Sequence, residues 1–147
     1  MGIFTEALIA GEEIKDYIPQ RKPIIMVDSF YGIDDKKSFS GLTVEEDNIL
    51  VENGLLSDAG IIEHIAQSCA VRVGYYYRQQ QLPVPIGFIG AIKNMKILSL
   101  PQVGQKLFTT VTILQEIFDI TLVSVEVDVN QTLIATGEMK IFLNKQV

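Results

Sequence analysis

The sequence has one histidine, one cysteine and no tryptophan among its 147 residues. A lone cysteine excludes an internal disulfide framework and fits a reducing compartment. One histidine and one cysteine cannot build an ordinary zinc site, so no metal is expected. Positive charge is scarce as well. Twelve Lys and Arg stand against eighteen Asp and Glu, a formal net charge of −6. A general nucleic-acid binder would carry a basic footprint, and no nucleic-acid partner is expected. No apolar run reaches the ~20 residues of a membrane span. The opening MGIFTEALIAGEEIKDY is acidic, with no basic segment leading into an apolar core, so neither a signal peptide nor a membrane partner is expected. The cytoplasm follows as the expected location. No Gly-rich phosphate loop opens a helix, and no nucleophile elbow is present. Nucleotide binding and serine-hydrolase chemistry therefore have no support, and no cofactor is expected.

The length suits one domain, residues 1–147, with a core of its own. Its longest regular stretch is Ser57 to Gln81, SDAGIIEHIAQSCAVRVGYYYRQQQ. Ser57 and Asp58 are good N-cap residues, and about six turns follow before Pro83 and Pro85 forbid continuation. Ile62, Ile65, Ala66, Cys69, Val73, Tyr76 and Tyr77 gather on one apolar side, and Gly60, Ala70 and Gly74 lie on the other. So few polar residues predict a helix buried on every side. Before it, Gly11–Ile18 suits a short amphipathic helix, Pro23–Tyr31 a buried strand, Gly32–Lys37 a charged turn and Ser38–Val44 a second strand. Asp47–Leu56 reads as loop with some strand around the turn signal Asn53-Gly54. After it, four strands are predicted over Ile86–Leu98, Lys106–Glu116, Ile120–Asn130 and Thr132–Leu143, with tight connections at Phe118-Asp119 and Asn130-Gln131. A long helix wrapped by one curved antiparallel sheet, an α+β architecture, lets both elements bury their apolar faces.

Four stretches then carry a resemblance. Ile18-Pro19-Gln20-Arg21-Lys22-Pro23 with Met26-Val27-Asp28 is similar to an LPHRYPFLLVD opening, and Glu63-His64-Ile65-Ala66-Gln67 to an EAMAQ helix motif. Gly90 to Lys96 (GAIKNMK) resembles GIDKARF, and Pro101 to Leu107 (PQVGQKL) resembles a VxPGDxL turn. In this order they resemble the hotdog-fold 3-hydroxyacyl-[acyl-carrier-protein] dehydratases. The resemblance implies the hotdog fold, a long central helix in a curved antiparallel sheet. It also implies dehydration of acyl thioesters in fatty-acid or polyene-type biosynthesis, with an acyl carrier protein as partner. The family's catalytic histidine lies in a loop reading GHFPGxPxMPG. The corresponding segment here, NGLLSDAG from Asn53 to Gly60, is shorter and has no histidine, and Gln20 replaces the histidine of the opening motif. That pattern is similar to the divergent dehydratase-like branch of aryl-polyene clusters, whose members pair with a second hotdog subunit.

On this reading Glu63 and His64 are the candidate catalytic residues. Elimination of water needs one group to take a C2 proton and one to protonate the departing hydroxyl. Glu63 matches the acid of the helix motif; a first-turn glutamate held by the helix dipole is the plainer alternative. His64 is the only imidazole, but neighbouring helix residues point about 100° apart, so the two cannot converge from one helix. His64 would have to act across a subunit interface, or else serve as a buried or interface histidine. Gln67, one turn after Glu63, could hold the carboxyl or contact the thioester. Asp58 and Gly60 belong to the helix N-terminus, where free N–H groups could polarise the thioester carbonyl. Gly90, opening the third motif, is the remaining candidate for substrate binding. Cys69 reads as core. Arg21, Lys22, Lys93 and Lys96 could form a basic patch for an acidic carrier or simply be solvated charges. Besides a dehydratase, a thioesterase and a catalytically weak subunit that pairs with an active dehydratase remain open. At least a homodimer is expected, or a heterodimer with a second hotdog protein. The missing second group could come from His64 across an interface, from a tyrosine such as Tyr75, or from a histidine of that partner.

Overall fold

The computed structural model describes residues 6–144; the first five residues, part of the segment read above as carrying no leader, and the last three lie outside them. In chain order the elements are β1 (Ile9–Ala10), a 3-10 turn over Gly11–Asp16, β2 (Ser29–Asp34), β3 (Lys37–Thr43), β4 (Val51–Glu52), β5 (Leu55–Leu56), α1 (Asp58–Gln79), β6 (Ile86–Ile97), β7 (Lys106–Ile117), β8 (Ile120–Val129) and β9 (Thr132–Asn144). Seven strands form one antiparallel sheet in the order β1-β2-β3-β7-β8-β9-β6, and β4 and β5 form a separate hairpin. Strict alternation places Val123, Val125, Val127 and Val129 of β8 in the core. With Met26, Leu42, Ile61, Ile65 and Leu107 they fill the space between α1 and the sheet. A second cluster, Ile14, Ile18, Val27, Phe30 and Val71, closes the other flank of the helix.

The turn chemistry behaves as its residues dictate. Asn53 and Gly54 both take positive φ, 54° and 77°, the requirement of a tight two-residue hairpin, which makes the β4–β5 pair. Ser57 caps α1, its Oγ accepting from the Gly60 N–H at 3.3 Å. Departures from expectation cluster before the helix. The strand read over Pro23–Tyr31 begins only at Ser29 and runs on through Gly32–Asp34, so the turn shrinks to Asp35 and Lys36. The reason is that the main chain of Ile24 and Met26 bonds to side chains of α1 instead of to a neighbouring strand. The first helix is a 3-10 turn that ends at Asp16, and the two-residue β1 is too short to show a period in the sequence.

The two sheet edges differ. β1 is two residues long, whereas β6 is twelve residues long and, among the described residues, pairs only with β9. Ile86, Phe88, Ile89 and Ile92 of β6 are between 40% and 55% exposed. A long apolar edge of this kind needs a cover.

Gly74 shows how close the helix comes to the segment before β2. A Cβ there would collide with the carbonyl of Tyr17. Alanine would gain about 1 kcal/mol of helix propensity, against about 1–3 kcal/mol for overpacking at a backbone contact. Gly74→Ala is therefore expected to lower the urea midpoint; an unchanged or raised midpoint would show that α1 does not pack on Tyr17.

Candidate active site

The helix faces divide differently from the apolar stripe read in the sequence. Ile65 and Cys69 are buried as expected, but Ala66, Val73, Tyr76 and Tyr77 line clefts instead of filling the core. The fully buried side includes the polar residues His64, Gln67 and Ser68. Buried polar groups need partners, and each of these has them. Gln67 Oε1 accepts from the Met26 N–H at 2.6 Å, and its Nε2 donates to the Ile24 carbonyl at 2.9 Å and to Glu63 Oε2 at 2.8 Å. The Met26 N–H can only donate, so the orientation of the Gln67 amide is fixed.

Glu63, half-buried, sits at the wall of a cleft of about 180 Å³ between α1, the Pro19–Gln20 segment, β6 and β9. Its neighbours there include Gln20, Ala66, Val73, Gly87, Ile89 and Leu143. Of the Glu63 oxygens, Gln67 donates to Oε2 alone among the hydrogen bonds described above. Gln20 Oε1 is buried and has no hydrogen-bond partner among the described residues. Among the described residues Glu63 is the only carboxyl lining this cleft. Cys69 also borders it, but burial pushes its thiol up to about 12, against the opposite pull of Arg72, so it stays neutral.

His64 points away from that cleft. It is fully buried, with Nδ1 2.7 Å from the Met26 carbonyl and Nε2 2.7 Å from Thr109 Oγ1 of β7. The carbonyl can only accept, which makes Nδ1 the N–H donor and leaves Nε2 to accept from the Thr109 hydroxyl. Ser68 adds a bond from its Oγ to the His64 carbonyl at 2.8 Å. The adjacent residues thus diverge as helix geometry requires, with Glu63 on the cleft and the imidazole in the core. The other candidates are also separated from Glu63. The Gly60 N–H is already given to Ser57, and Gly60 packs under Leu56. Asp58 is exposed and accepts from the Ala59 N–H at 2.8 Å. Both belong to the hairpin end of the helix, where Ser57 and Asp58 line a different cleft. Gly90 lies against the Phe142 ring, and it is Gly87 and Ile89 of that strand that reach Glu63's cleft. Tyr75 packs on Phe30, ring centroids 5.0 Å apart, in the smaller core cluster. Arg21, Lys22, Lys93 and Lys96 are all exposed, with Arg21 donating to the Ile18 and Gln20 carbonyls. Gln20, read in the sequence only as replacing the histidine of the opening motif, lines Glu63's cleft, as do Gly87 and Ile89, which the sequence did not single out. For Gln20 its place in the opening motif was the available signal.

Among the described residues no group of three or more His, Cys, Asp or Glu could hold a metal ion, and no helix is long and apolar enough to cross a membrane.

Burial pushes the His64 imidazole down to about 4 from its ordinary 6.5, the Met26 carbonyl pulling the other way. Between those values the unfolded chain binds the proton that the folded one excludes. Stability is therefore complete above about pH 6.5 and falls as the pH drops toward 4, by up to about 3 kcal/mol. Urea midpoints between pH 7 and 4.5 are expected to show this slope. His64→Gln should lower stability at pH 7 and flatten the slope; an unflattened slope would mean that the imidazole is not held neutral.

A family model of ApeP-like proteins, the ApeP dehydratases, matches residues 12–147. No curated protein matches the chain. Among solved structures the chain is similar to the dehydratase heterocomplex ApeI:P from Xenorhabdus doucetiae, at 17% identity and a TM-score of 0.82, over 90% of this chain and 91% of that one. It is also similar to smu.793 from Streptococcus mutans UA159 bound to acetyl CoA, at 11% identity and 0.67, over 88% and 98% of the two chains. A third likeness is to a hypothetical thioesterase protein with coenzyme A from Streptococcus pneumoniae TIGR4, at 10% identity and 0.64, over 80% and 86%. These likenesses show the fold, a hotdog helix in its curved sheet. The family match adds what the fold alone does not say: the chain belongs to the ApeP-like dehydratase family.

Proposed function

We propose that the chain is a subunit of a (3R)-hydroxyacyl-thioester dehydratase, taking its substrate from an acyl carrier protein, with Glu63 as an acid/base group. The observation that carries this reading is a single carboxyl, held on one oxygen by Gln67, at the wall of a mostly apolar cleft. In the elimination the C2–H bond gives its electrons to a new C2=C3 bond, and the C3 hydroxyl leaves as water after gaining a proton. A carboxyl positioned by an amide can serve at either transfer, and each transfer is worth on the order of 10²–10⁴ in rate.

The described residues supply the cleft with no second acid or base, since its only other titratable neighbour among them is the neutral Cys69. Gly87 and Ile89, on the opposite wall, belong to β6, the exposed edge strand. A second hotdog protein pairing along that edge would both cover its apolar side chains and reach the cleft, and a histidine from it would complete the acid/base pair. The same shortage favours a second reading, in which the chain shapes a partner's site without doing chemistry.

Co-purification from the native host, followed by assay of the assembly and of the chain alone on a 3-hydroxyacyl carrier protein, separates these. The chain alone should be slow, and the partner should raise turnover by two orders of magnitude or more. Glu63→Gln in the assembly should remove that gain while shifting Tm by no more than a few degrees. Full turnover by the Glu63→Gln assembly would leave this chain a structural subunit. Fast turnover by the chain alone would remove the need for a partner.

A further inference from the structure

The elimination has two proton transfers, and the hydrogen bonds around Glu63 tell them apart. Gln67 is wholly buried, so water cannot substitute for its partners. Its Oε1 is committed to the Met26 N–H at 2.6 Å, a group that can only donate. A flipped amide would set Nε2 against that N–H and the amide oxygen against the Ile24 carbonyl, leaving buried groups unpaired at both ends. The amide therefore offers Glu63 an N–H and never an acceptor, 2.8 Å from Oε2. Such a donor serves a carboxylate better than a carboxylic acid, because a hydrogen bond to an ionised group is roughly twice as strong as one between neutral groups.

That charge has no counterpart on this chain's side of the cleft. Among the described residues that line it there is no Lys, Arg or His. The imidazole of His64 is engaged by Met26 and Thr109, and Arg72 lines a different cleft. Gly87 and Ile89 place the wall opposite Glu63 on the edge strand β6, so whatever covers that edge also takes water from the carboxyl. A carboxylate removed from water without a counter-charge is costly. The covering surface must then bring a cation to it.

We propose that Gln67 commits Glu63 to one of the two transfers, an assignment that rests on the acyl-thioester reading above. Glu63 is the base that takes the C2 proton, and an imidazolium of the partner subunit is the acid that protonates the leaving hydroxyl. The electrons of the C2–H bond form C2=C3, and the proton goes to Glu63 on the oxygen that Gln67 does not hold. The C3–O bond breaks with its electron pair on oxygen, which gains the imidazolium proton and leaves as water. Glu63 ends as a carboxylic acid whose Oε2 still accepts from Gln67, and the partner's ring ends neutral. The proton on Glu63 then returns to that ring through solvent. Lysine or arginine would pair with the carboxylate as well, but both hold their protons far above neutral pH, where an imidazolium gives its proton up. Gln67 acts through Glu63 and is a positioning residue.

A leaving group that needs no proton separates the two roles. The assembly as it purifies from the native host is assayed on the pantetheine thioesters of 3-hydroxydecanoate and 3-chlorodecanoate. Both must lose the C2 proton, but chloride departs without an acid. Glu63→Gln is expected to slow both eliminations by roughly a hundredfold or more. If it stops water loss and leaves chloride loss intact, Glu63 is the acid; the assignment is overturned while its place in the active site stands. A wild-type assembly that eliminates water but does not speed chloride loss over buffer would overturn the assignment as well. Full elimination of both by Glu63→Gln, or of neither by the wild type, would overturn the acyl-site reading itself, and the assignment with it. Gln67→Met should lower kcat for chloride loss by about tenfold to a hundredfold with KM unchanged, the worth of one hydrogen bond to a charged group. An unchanged kcat would overturn the role given to Gln67. The Glu63→Gln arms decide even where the methionine variant fails to fold.

Discussion

The amide of Gln67 is the junction on which the rest of the molecule depends. Its three hydrogen bonds tie α1 to the main chain of Ile24 and Met26 on one side and to the Glu63 carboxyl on the other. The first two satisfy backbone groups that no strand reaches, which a buried segment cannot leave unpaired. The third holds a carboxyl in place without a positive charge. His64 adds to the same anchorage, joining Met26 to Thr109 of β7 through its two ring nitrogens. Helix, pre-strand segment and sheet are therefore fixed to one another by two buried side chains, and removal of either would strand several polar partners at once.

This anchorage explains why the polar side of the helix is inside. A helix that packs through hydrogen bonds on one face releases its small and apolar residues, Ala66, Ala70 and Val73, to line a cleft on the other. The cleft gains apolar walls suited to a hydrocarbon chain and a carboxyl whose oxygens are distinguished by a single donor. Folding and candidate chemistry thus use adjacent residues of one helix, with opposite exposures.

Much of this was legible in the sequence, and the failures share a cause. The valines of β8, the Asn53-Gly54 turn and the capped helix start each follow from local rules, and they reappear with shifts of one or two residues. The segment from Pro23 to Asp28 reads as strand because its residues are β-formers. Its actual partners are Gln67 and His64, some forty positions later in the chain, and no local pattern announces them. The same pairing hid which face of α1 is buried, since an apolar stripe predicts the core only where polar residues lack buried partners. Adjacency on a helix did foretell that Glu63 and His64 would part.

The edge of the sheet and the cleft of Glu63 are not independent features. A cleft with one carboxyl and an exposed edge strand with apolar side chains could be two independent oddities of the structure. They are linked because Gly87 and Ile89 are at once part of that edge and part of the cleft wall. A protein that covers β6 cannot avoid approaching Glu63. A cover on that edge would therefore shape the cleft as well as shield the apolar strand. The exposed strand and the wall of Glu63's cleft are then one continuous surface, and what shields the first also bounds the second.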